Sequence, residues 1–320
     1  VEIENLYEDL NRVEDQRLYS EAFRKAITLL RNEKALLPLN PKRSWAHIAL
    51  GDDSSDAFQK QLQKYTSIEL IHEVTALNAL EKTKAHDTLL VSFHRSNATP
   101  WKASNFNKEE LQIIKSLAKN KTLILDLFVK PYALMPLENI QGIDAILMSY
   151  QNSDEAQELS VDAIFGAQPL SGRLPVDVSP SFKEGSGIDL KGGVRLGYAV
   201  PHSLGFSESK LKALDTLAQV AIDSMMTPGM QLLVARKGKI VYQKNYGFHT
   251  YERKQVVRDS DLYDLASLTK ILGTLPLVMQ AFDEGKLSLS TTVAELLPDW
   301  SGSNKSDLSL KQMLSHYARL

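Results

Sequence analysis

Short apolar runs alternate with amphipathic stretches through the first 165 residues of this chain. Leu18, Ala22 and Ala26, followed by Leu29 and Leu30, recur at helical spacing, which predicts an opening helix. Predicted strands follow at 46–50, 67–71, 88–93, 122–128 and 143–150, and predicted helices at 56–65, 75–82, 108–119 and 154–165. Because strands that alternate with helices build a mainly parallel sheet covered on both faces, this pattern predicts an α/β sandwich.

The pattern changes near residue 200. Five glycines between positions 185 and 197 indicate a linker. Behind it, an amphipathic helix is predicted to begin after Ser207, and two strands are predicted to meet in a turn at Lys237-Gly238. An apolar stretch from Ile271 to Phe282 predicts a further helix.

These features divide the 320 residues into a predicted sandwich domain at 1–200 and a predicted α+β domain at 207–320. The junction is expected between Val200 and Ser207, in the glycine-rich region. The length allows two hydrophobic cores, and 37 basic residues nearly balance 39 acidic ones. Without a basic stripe or a long apolar run, the composition argues against a nucleic-acid partner and against a transmembrane segment.

Several kinds of chemistry are excluded or disfavoured by what the sequence lacks. It has no cysteine, which excludes disulfides and thiolate chemistry but does not fix the compartment. None of its seven histidines forms an i,i+4 pair, and no dinucleotide fingerprint or phosphate loop is present, so we expect no metal and no cofactor. The carboxylate pairs Asp52/Asp53 and Asp154/Glu155 are interpreted as residues at helix starts.

Ser267 and Lys270 are the candidate catalytic residues, because a serine and a lysine three apart at a helix start share one face. Ser267 would be the acyl nucleophile and Lys270, in its neutral form, the base. The backbone N–H of Ser267 would supply half of an oxyanion hole. The same spacing occurs three more times, so context must decide between these pairs. The alternatives are Ser116/Lys119 within a predicted helix, Ser207/Lys210 at a predicted N-cap, and Ser209/Lys212.

The context of Ser267 contains several punctuated motifs in a fixed order. They are the 231–242 hairpin, Tyr246-Gly247, Ser267-x-x-Lys270, Asp283-Glu284-Gly285-Lys286-Leu287, Leu296-Leu297-Pro298 and Leu314-Ser315-His316. In this order, residues 207–320 resemble the first part of the class C β-lactamase, penicillin-binding protein and serine esterase superfamily. The superfamily's later elements, a Tyr/Ser-x-Asn and a Lys/His-x-Gly strand, are not found in these residues. The resemblance therefore implies a truncated domain that is inactive by itself.

Three passages of the first domain carry a second resemblance. Residues 27–39 resemble the opening of the C-terminal sandwich domain of glycoside hydrolase family 3, residues 128–134 its strand-to-helix segment, and 165–176 its closing signature. The resemblance implies that the aspartate nucleophile of the glycosidase lies on a (β/α)8 barrel. Such a barrel needs about 250 residues, and about 20 precede the sandwich here.

Together the two resemblances imply a fragment of a bacterial fusion protein located in the periplasm or at the cell surface. The expected parent is an exo-β-glycosidase, a β-N-acetylglucosaminidase or a β-glucosidase, with a serine acyl-hydrolase module attached. Its expected substrates are glycan or peptidoglycan-derived pieces, and the fragment is expected to self-associate through its incomplete second domain. The alternative is a noncatalytic scaffold or carbohydrate-contacting module in which the Ser-x-x-Lys pair is vestigial.

Overall fold

The structure is a computed structural model, and it describes residues 3–10, 12–42, 44–98, 101 and 105–318. The chain divides into two compact units, Val1–Val257 and Arg258–Leu320. Within the described residues, no helix combines the length and the apolar character that crossing a membrane requires.

A mainly parallel sheet forms the centre of the first unit. Among the described residues its strands are β1 Thr28–Asn32, β2 Trp45–Gly51, β3 Glu69–Leu70, β4 Thr88–His94, β5 Thr122–Phe128 and β6 Ile143–Met148. They lie in the order β1-β6-β5-β4-β2-β3, in which β1 is antiparallel to β6 and the remaining neighbours are parallel. The prediction of a mainly parallel α/β sandwich is confirmed.

Helices cover both faces of this sheet. The described helices of the first unit are α1 Leu6–Leu10, α2 Val13–Ala26, α3 Asp56–Tyr65, α4 Ala79–Lys82, α5 Lys108–Asn120, α6 Asp154–Ile164 and α7 Glu208–Asp223. Of these, α3 to α6 contribute buried side chains to the two cores on this sheet. Successive strand residues point to opposite faces, so Val91 and Phe93 join the core beneath α5 while Leu90 joins the core beneath α3 and α6. Each such fully buried side chain contributes about 1.5–3 kcal/mol of hydrophobic stabilisation.

The opening helix is shorter than the sequence predicts. Helix α2 ends at Ala26, and Leu29 and Leu30 lie in strand β1 instead. The Thr28 hydroxyl donates to the carbonyl of Ala26 at 2.8 Å, and the Thr28 backbone pairs with Met148 in β6. The prediction was wrong at this point because pairing with an otherwise open sheet edge outweighs the helical spacing of the leucines.

The predicted hairpin is confirmed. Strands β7 Gly197–Tyr198, β8 Gly229–Arg236 and β9 Lys239–Gly247 form a second sheet in the order β7-β9-β8. Lys237 and Gly238 form the turn with φ of 51° and 74°, and positive φ at both central residues is what a tight hairpin of this hand requires.

One buried ion pair joins this hairpin to the sandwich. Lys239 Nζ lies 2.7 Å from Asp162 Oδ2, and the two residues are 7% and 1% exposed. The other carboxylate oxygen of Asp162 accepts hydrogen bonds from Gln61 Nε2 and from the Tyr65 hydroxyl, both at 2.7 Å. We call Asp162 and Lys239 the junction ion pair. Its contacts satisfy both charges in a site from which water is largely excluded.

The junction ion pair needs a glycine at position 197. A Cβ there would lie 2.3 Å from Lys239 Nζ and 2.7 Å from Asp162 Oδ2, so any larger residue would displace one of the two charges. The junction ion pair is one of the contacts between the sandwich and residues 207–257, which belong to the same compact unit. The division into domains at 1–200 and 207–320, which follows the sequence motifs, stays a prediction.

The second unit contains short helices and turns. Its helices are α8 Leu275–Asp283, α9 Val293–Leu296 and α10 Leu310–Leu314. Helices α9 and α10 each begin with a capping box, in which Thr292 pairs with Glu295 and Ser309 pairs with Gln312. A backbone bridge joins Thr292 to Ser309, so the two helix starts lie side by side.

We predict that Lys239→Met lowers the free energy of unfolding by about 3–5 kcal/mol, because it leaves the Asp162 carboxylate buried without its counter-charge. Urea denaturation followed by circular dichroism measures the change. The control is Lys237→Met, at the exposed turn two residues away, which should change the free energy by less than about 0.5 kcal/mol. A Lys239→Met protein as stable as the control would show that the junction ion pair contributes nothing.

Candidate active site

The backbone turns sharply just before Ser267. Ala266 has φ of 44°, and its N–H donates to Asp264 Oδ1 at 2.9 Å. Three consecutive bonds then span three residues each, ending with Lys270 N to the Ser267 carbonyl at 3.1 Å. A positive φ at a residue with a Cβ costs about 1–2 kcal/mol, and such strain is often found at functional sites. The strained residue, Ala266, therefore lies directly before the candidate nucleophile Ser267.

A π-helical segment, Lys270–Thr274, follows and leads into α8. Pro276 stands in the first turn of α8 and has no N–H to donate. A missing donor loosens the hydrogen-bond ladder one turn earlier, which agrees with the wider helical turn there. Wide turns of this kind frequently occur at functional sites.

The structure brings Ser267 and Lys270 together. Lys270 Nζ donates to Ser267 Oγ at 3.2 Å, and both residues are exposed. The N–H of Ser267 meets no acceptor among the residues that the structure describes, so it can donate to a bound oxyanion. The geometry suits proton exchange between the two side chains, and their catalytic roles stay a prediction.

The competing Ser-x-x-Lys pairs have structural explanations. Ser116 lies within α5, as predicted. Ser207 is the N-cap of α7, and its hydroxyl accepts from the N–H of Lys210 at 3.4 Å, so the predicted N-cap is confirmed. Ser209 forms a hydrogen bond with the Ser207 hydroxyl at 2.8 Å. Among the described contacts, the lysine side chain donates to the serine hydroxyl in the Ser267/Lys270 pair and in none of the other three Ser-x-x-Lys pairs.

A buried chain of hydrogen bonds in the sandwich was not predicted. Ser92 Oγ lies 2.7 Å from His47 Nε2 and 2.7 Å from His94 Nε2, and His94 Nδ1 lies 2.8 Å from Asn152 Oδ1. Asn152 Nδ2 donates to the Ser54 carbonyl at 3.1 Å, which fixes the orientation of the amide. This hydrogen-bonded network therefore connects the loops that follow β2 and β6.

The acceptor at the end of this hydrogen-bonded network, Asn152 Oδ1, determines which nitrogen and oxygen atoms donate along it. Because Asn152 Oδ1 can only accept, His94 must carry its proton on Nδ1, and its Nε2 then accepts from Ser92. Ser92 in turn accepts from His47 Nε2. Burial lowers the pKa of His47 to about 3 and that of His94 to about 4, so both rings are neutral near pH 7. Both histidines are therefore buried, neutral members of this hydrogen-bonded network.

The carboxylate pairs divide between two outcomes. Asp154 and Glu155 lie in the first turn of α6, as expected. Asp52 lies before α3 and forms an ion pair with Arg95 at 3.4 Å, so the helix-start interpretation was wrong there. The strand ends bring Asp52 and Arg95 together, since β2 and β4 are parallel neighbours. Among the described residues, no three histidine, aspartate or glutamate side chains are arranged to hold a metal ion.

Asp126 is a further buried group that sequence patterns did not reveal. Its carboxyl oxygens accept from the hydroxyls of Ser149 at 2.7 Å and Ser160 at 2.6 Å. Burial raises the pKa of Asp126 to about 7, against the opposing effect of these hydrogen bonds. Between pH 3.8, which is the ordinary pKa of this carboxyl group, and about pH 7, Asp126 carries a proton in the folded state and has lost it in the unfolded state.

We predict that Asp126→Asn changes the pH dependence of stability. The raised pKa stabilises the folded protein below pH 4, and this contribution is lost as the pH rises through about 7. The free energy of unfolding of the natural protein minus that of the variant should therefore fall by about 2–4 kcal/mol between pH 4 and pH 7. Effects of the histidines cancel in this difference. Asp56→Asn, at an exposed carboxylate, is the control and should give a flat difference; the same result for Asp126→Asn would contradict the raised pKa.

Two family models match this chain. The model described as glycosyl hydrolase family 3 C-terminal domain matches residues 27–201, and the model described as beta-lactamase matches residues 216–320. The first match spans more than half of the chain. The protein therefore belongs to the glycosyl hydrolase family 3 C-terminal domain family, and a beta-lactamase domain is fused behind that domain. Both resemblances noted in the sequence are confirmed.

Curated relatives match about a third of this chain. A "Putative D-alanyl-D-alanine carboxypeptidase" of Salmonella agona is 30% identical over 133 residues, which cover 38% of this chain and 31% of the relative. "Protein flp" of Staphylococcus aureus is 27% identical over 106 residues, which cover 32% of this chain and 21% of that protein. The chain thus spans between a fifth and a third of the length of these relatives.

Solved structures match about half of this chain. A beta-glucosidase from Listeria innocua is 17% identical with a TM-score of 0.44, over 54% of this chain and 28% of that one. A glycoside hydrolase family 3 beta-N-acetylglucosaminidase from Paenibacillus is 15% identical with a TM-score of 0.41, over 53% and 34% of the two chains.

Proposed function

We propose that this chain is part of a bacterial cell-envelope hydrolase, located in the periplasm or at the cell surface. The whole protein would be an exo-acting β-N-acetylglucosaminidase or β-glucosidase with a serine acyl-hydrolase module, and its substrates would be glycan or peptidoglycan-derived pieces. The observation that carries the proposal is the 3.2 Å contact between Lys270 Nζ and Ser267 Oγ, which lies inside the beta-lactamase match.

The proposed acyl transfer uses three groups of the second unit. Neutral Lys270 takes the hydroxyl proton as Ser267 Oγ attacks the carbonyl carbon of the substrate, and an ester to Ser267 forms as the leaving group departs with a proton. The N–H of Ser267, which meets no acceptor among the described residues, would donate to the oxyanion during the attack. Water then attacks the ester and regenerates the serine hydroxyl.

The 320-residue chain alone is expected to turn over esters and β-lactams very slowly. Efficient acylation requires a nucleophile, a base and oxyanion donors that are held rigidly together away from water. Here both side chains are exposed, and the N–H of Ser267 is the one donor that we propose. The loss of one oxyanion donor typically costs a factor of about 10²–10³ in rate.

We predict that a fluorophosphonate probe labels this chain slowly, and that Ser267→Ala abolishes the labelling. Lys270→Met should slow it further, because the base is lost while the length of the side chain is kept. Ser116→Ala, at a Ser-x-x-Lys pair inside α5, is the matched control and should label like the natural chain. Mass spectrometry of the labelled peptide measures each rate. Labelling that persists in Ser267→Ala would remove Ser267 from the mechanism.

The sandwich is proposed to border a sugar site without performing the cleavage. Ligands of parallel α/β sheets bind beyond the carboxyl ends of the strands, and the buried chain from His47 to Asn152 holds two loops at that edge in place. A retaining glycosidase needs two carboxyl groups about 5 Å apart across the scissile bond. Buried carboxylates of the sandwich are already engaged, Asp162 by Lys239 and Asp126 by two serines.

We predict no measurable turnover of p-nitrophenyl β-N-acetylglucosaminide or β-glucoside by the purified 320-residue chain. Absorbance at the released nitrophenolate band measures the rate. The purity control is the same purification carried out on cells that carry an empty vector. Turnover that exceeds this control and follows the protein through purification would contradict the assignment of the sandwich as a bordering domain.

The alternative is a noncatalytic scaffold or carbohydrate-contacting module with a vestigial Ser-x-x-Lys pair. The exposure of both Ser267 and Lys270 favours it. The labelling experiment separates the two functions, because a scaffold should show the same background labelling in the natural chain, in Ser267→Ala and in Lys270→Met.

We predict that the chain self-associates through exposed apolar side chains of the second unit. Leu277 in α8 is 67% exposed, and its neighbours Ile271, Leu272 and Met279 are exposed as well. Light scattering after size-exclusion chromatography should show a mass that rises with concentration. Leu277→Glu should reduce this rise, whereas the control Leu77→Glu, at a 99% exposed position in the first unit, should not. A constant monomer mass would contradict the prediction.

A further inference from the structure

A groove in the first unit lies between the end of the sandwich and the β8–β9 turn. Its volume is about 780 Å³. Ala167 and Pro169 line it at the sandwich, the segment 191–196 lines one side, and residues 237–239 of the turn line the other. A volume of this size is typical of sites for small organic ligands.

The charges that line the groove are all positive. Lys191, Arg195, Lys237 and Lys239 belong to the lining, and no acidic residue does. Lys239 is neutralised by Asp162, whereas the other three are exposed and form no ion pair with any residue that the structure describes. The chain as a whole has a net charge of −2, so this excess of positive charge is local. A cleft lined by one sign of charge concentrates ligands of the opposite sign.

Backbone hydrogen bonds hold both sides of the groove. The N–H of Val194 donates to the Gly166 carbonyl at 3.1 Å, and the N–H of Gly197 donates to the Gly238 carbonyl at 3.0 Å. Gly192 lies so close to the sandwich that a Cβ there would be 2.2 Å from the Pro169 nitrogen. The three basic side chains therefore extend from backbone that is already in place, which reduces the entropy lost when a ligand binds.

We propose that this groove binds an organic anion, a compound with carboxylate or phosphate groups on a body of about one or two rings. The guanidinium of Arg195 and the ammonium groups of Lys191 and Lys237 would form charge-assisted hydrogen bonds with the anionic oxygens. The apolar side chains of Val194 and Leu196, both partly exposed in the lining, would contact the body of the ligand. A soluble organic anion and the headgroup of an anionic lipid share this chemistry.

Isothermal titration calorimetry with isophthalate, a ring with two carboxylates, tests the proposal. Isophthalate should bind, its uncharged diamide should bind at least ten-fold more weakly, and raising the salt from 50 to 300 mM should weaken the binding of isophthalate. The triple variant Lys191→Gln, Arg195→Gln, Lys237→Gln should lower its affinity at least ten-fold. The control triple variant Lys60→Gln, Lys115→Gln, Lys119→Gln removes the same charge from exposed helix positions and should change the affinity less than two-fold.

Flotation with lipid vesicles distinguishes the two sources of the anion. If the ligand is a lipid headgroup, the chain should float with phosphatidylglycerol vesicles and not with phosphatidylcholine vesicles, and the groove triple variant should remain unbound. If the ligand is soluble, isophthalate binds while neither kind of vesicle does. The proposal is overturned if the natural chain binds neither isophthalate nor phosphatidylglycerol, or if both triple variants lose binding equally. Circular dichroism melting curves confirm that each variant is folded.

Discussion

A carboxylate and an ammonium that are both removed from water must be paired, because a single charge in such a place costs several kcal/mol. Asp162 and Lys239 meet this requirement at 2.7 Å, with Gln61 and Tyr65 on the second carboxylate oxygen. The pair fixes β9 against α6, and β7 then pairs with β9 because Gly197 leaves room for both charges. The position of the whole hairpin in the first unit, and with it one side of the basic groove, depends on this contact.

The candidate active site depends on a different kind of constraint. Ser267 and Lys270 meet because they are three residues apart at a helix start, a geometry that needs no distant part of the chain. Local geometry can bring nucleophile and base together, but it cannot exclude water from them. Ser267 and Lys270 can therefore be correctly spaced and still be exposed to water. The presence of both groups does not by itself make an organised catalytic site.

The predictability of each feature follows the same distinction. The strands from β2 to β6 and the Lys237-Gly238 turn were predicted because their periodicity and turn residues are local signals. Leu29 was assigned to a helix because its neighbours in the sequence cannot show that β6 offers an open edge. The pairing of His47 with Ser92 depends on the parallel register of β2 and β4, and a sequence pattern does not contain this register. The buried polar contacts were therefore beyond sequence reasoning, although the elements that carry them were not.

The junction ion pair also has a consequence for the order of folding. Strands β8 and β9 are joined by a two-residue turn and can pair early, whereas Asp162 and Lys239 are separated by 77 residues of chain. A contact of such long range between two elements that are already formed belongs to the last steps of assembly. Weakening it should therefore raise the rate at which the first unit opens, while the rate at which the unit folds changes little. The lifetime of the docked hairpin then depends on one side chain from α6 and one from β9.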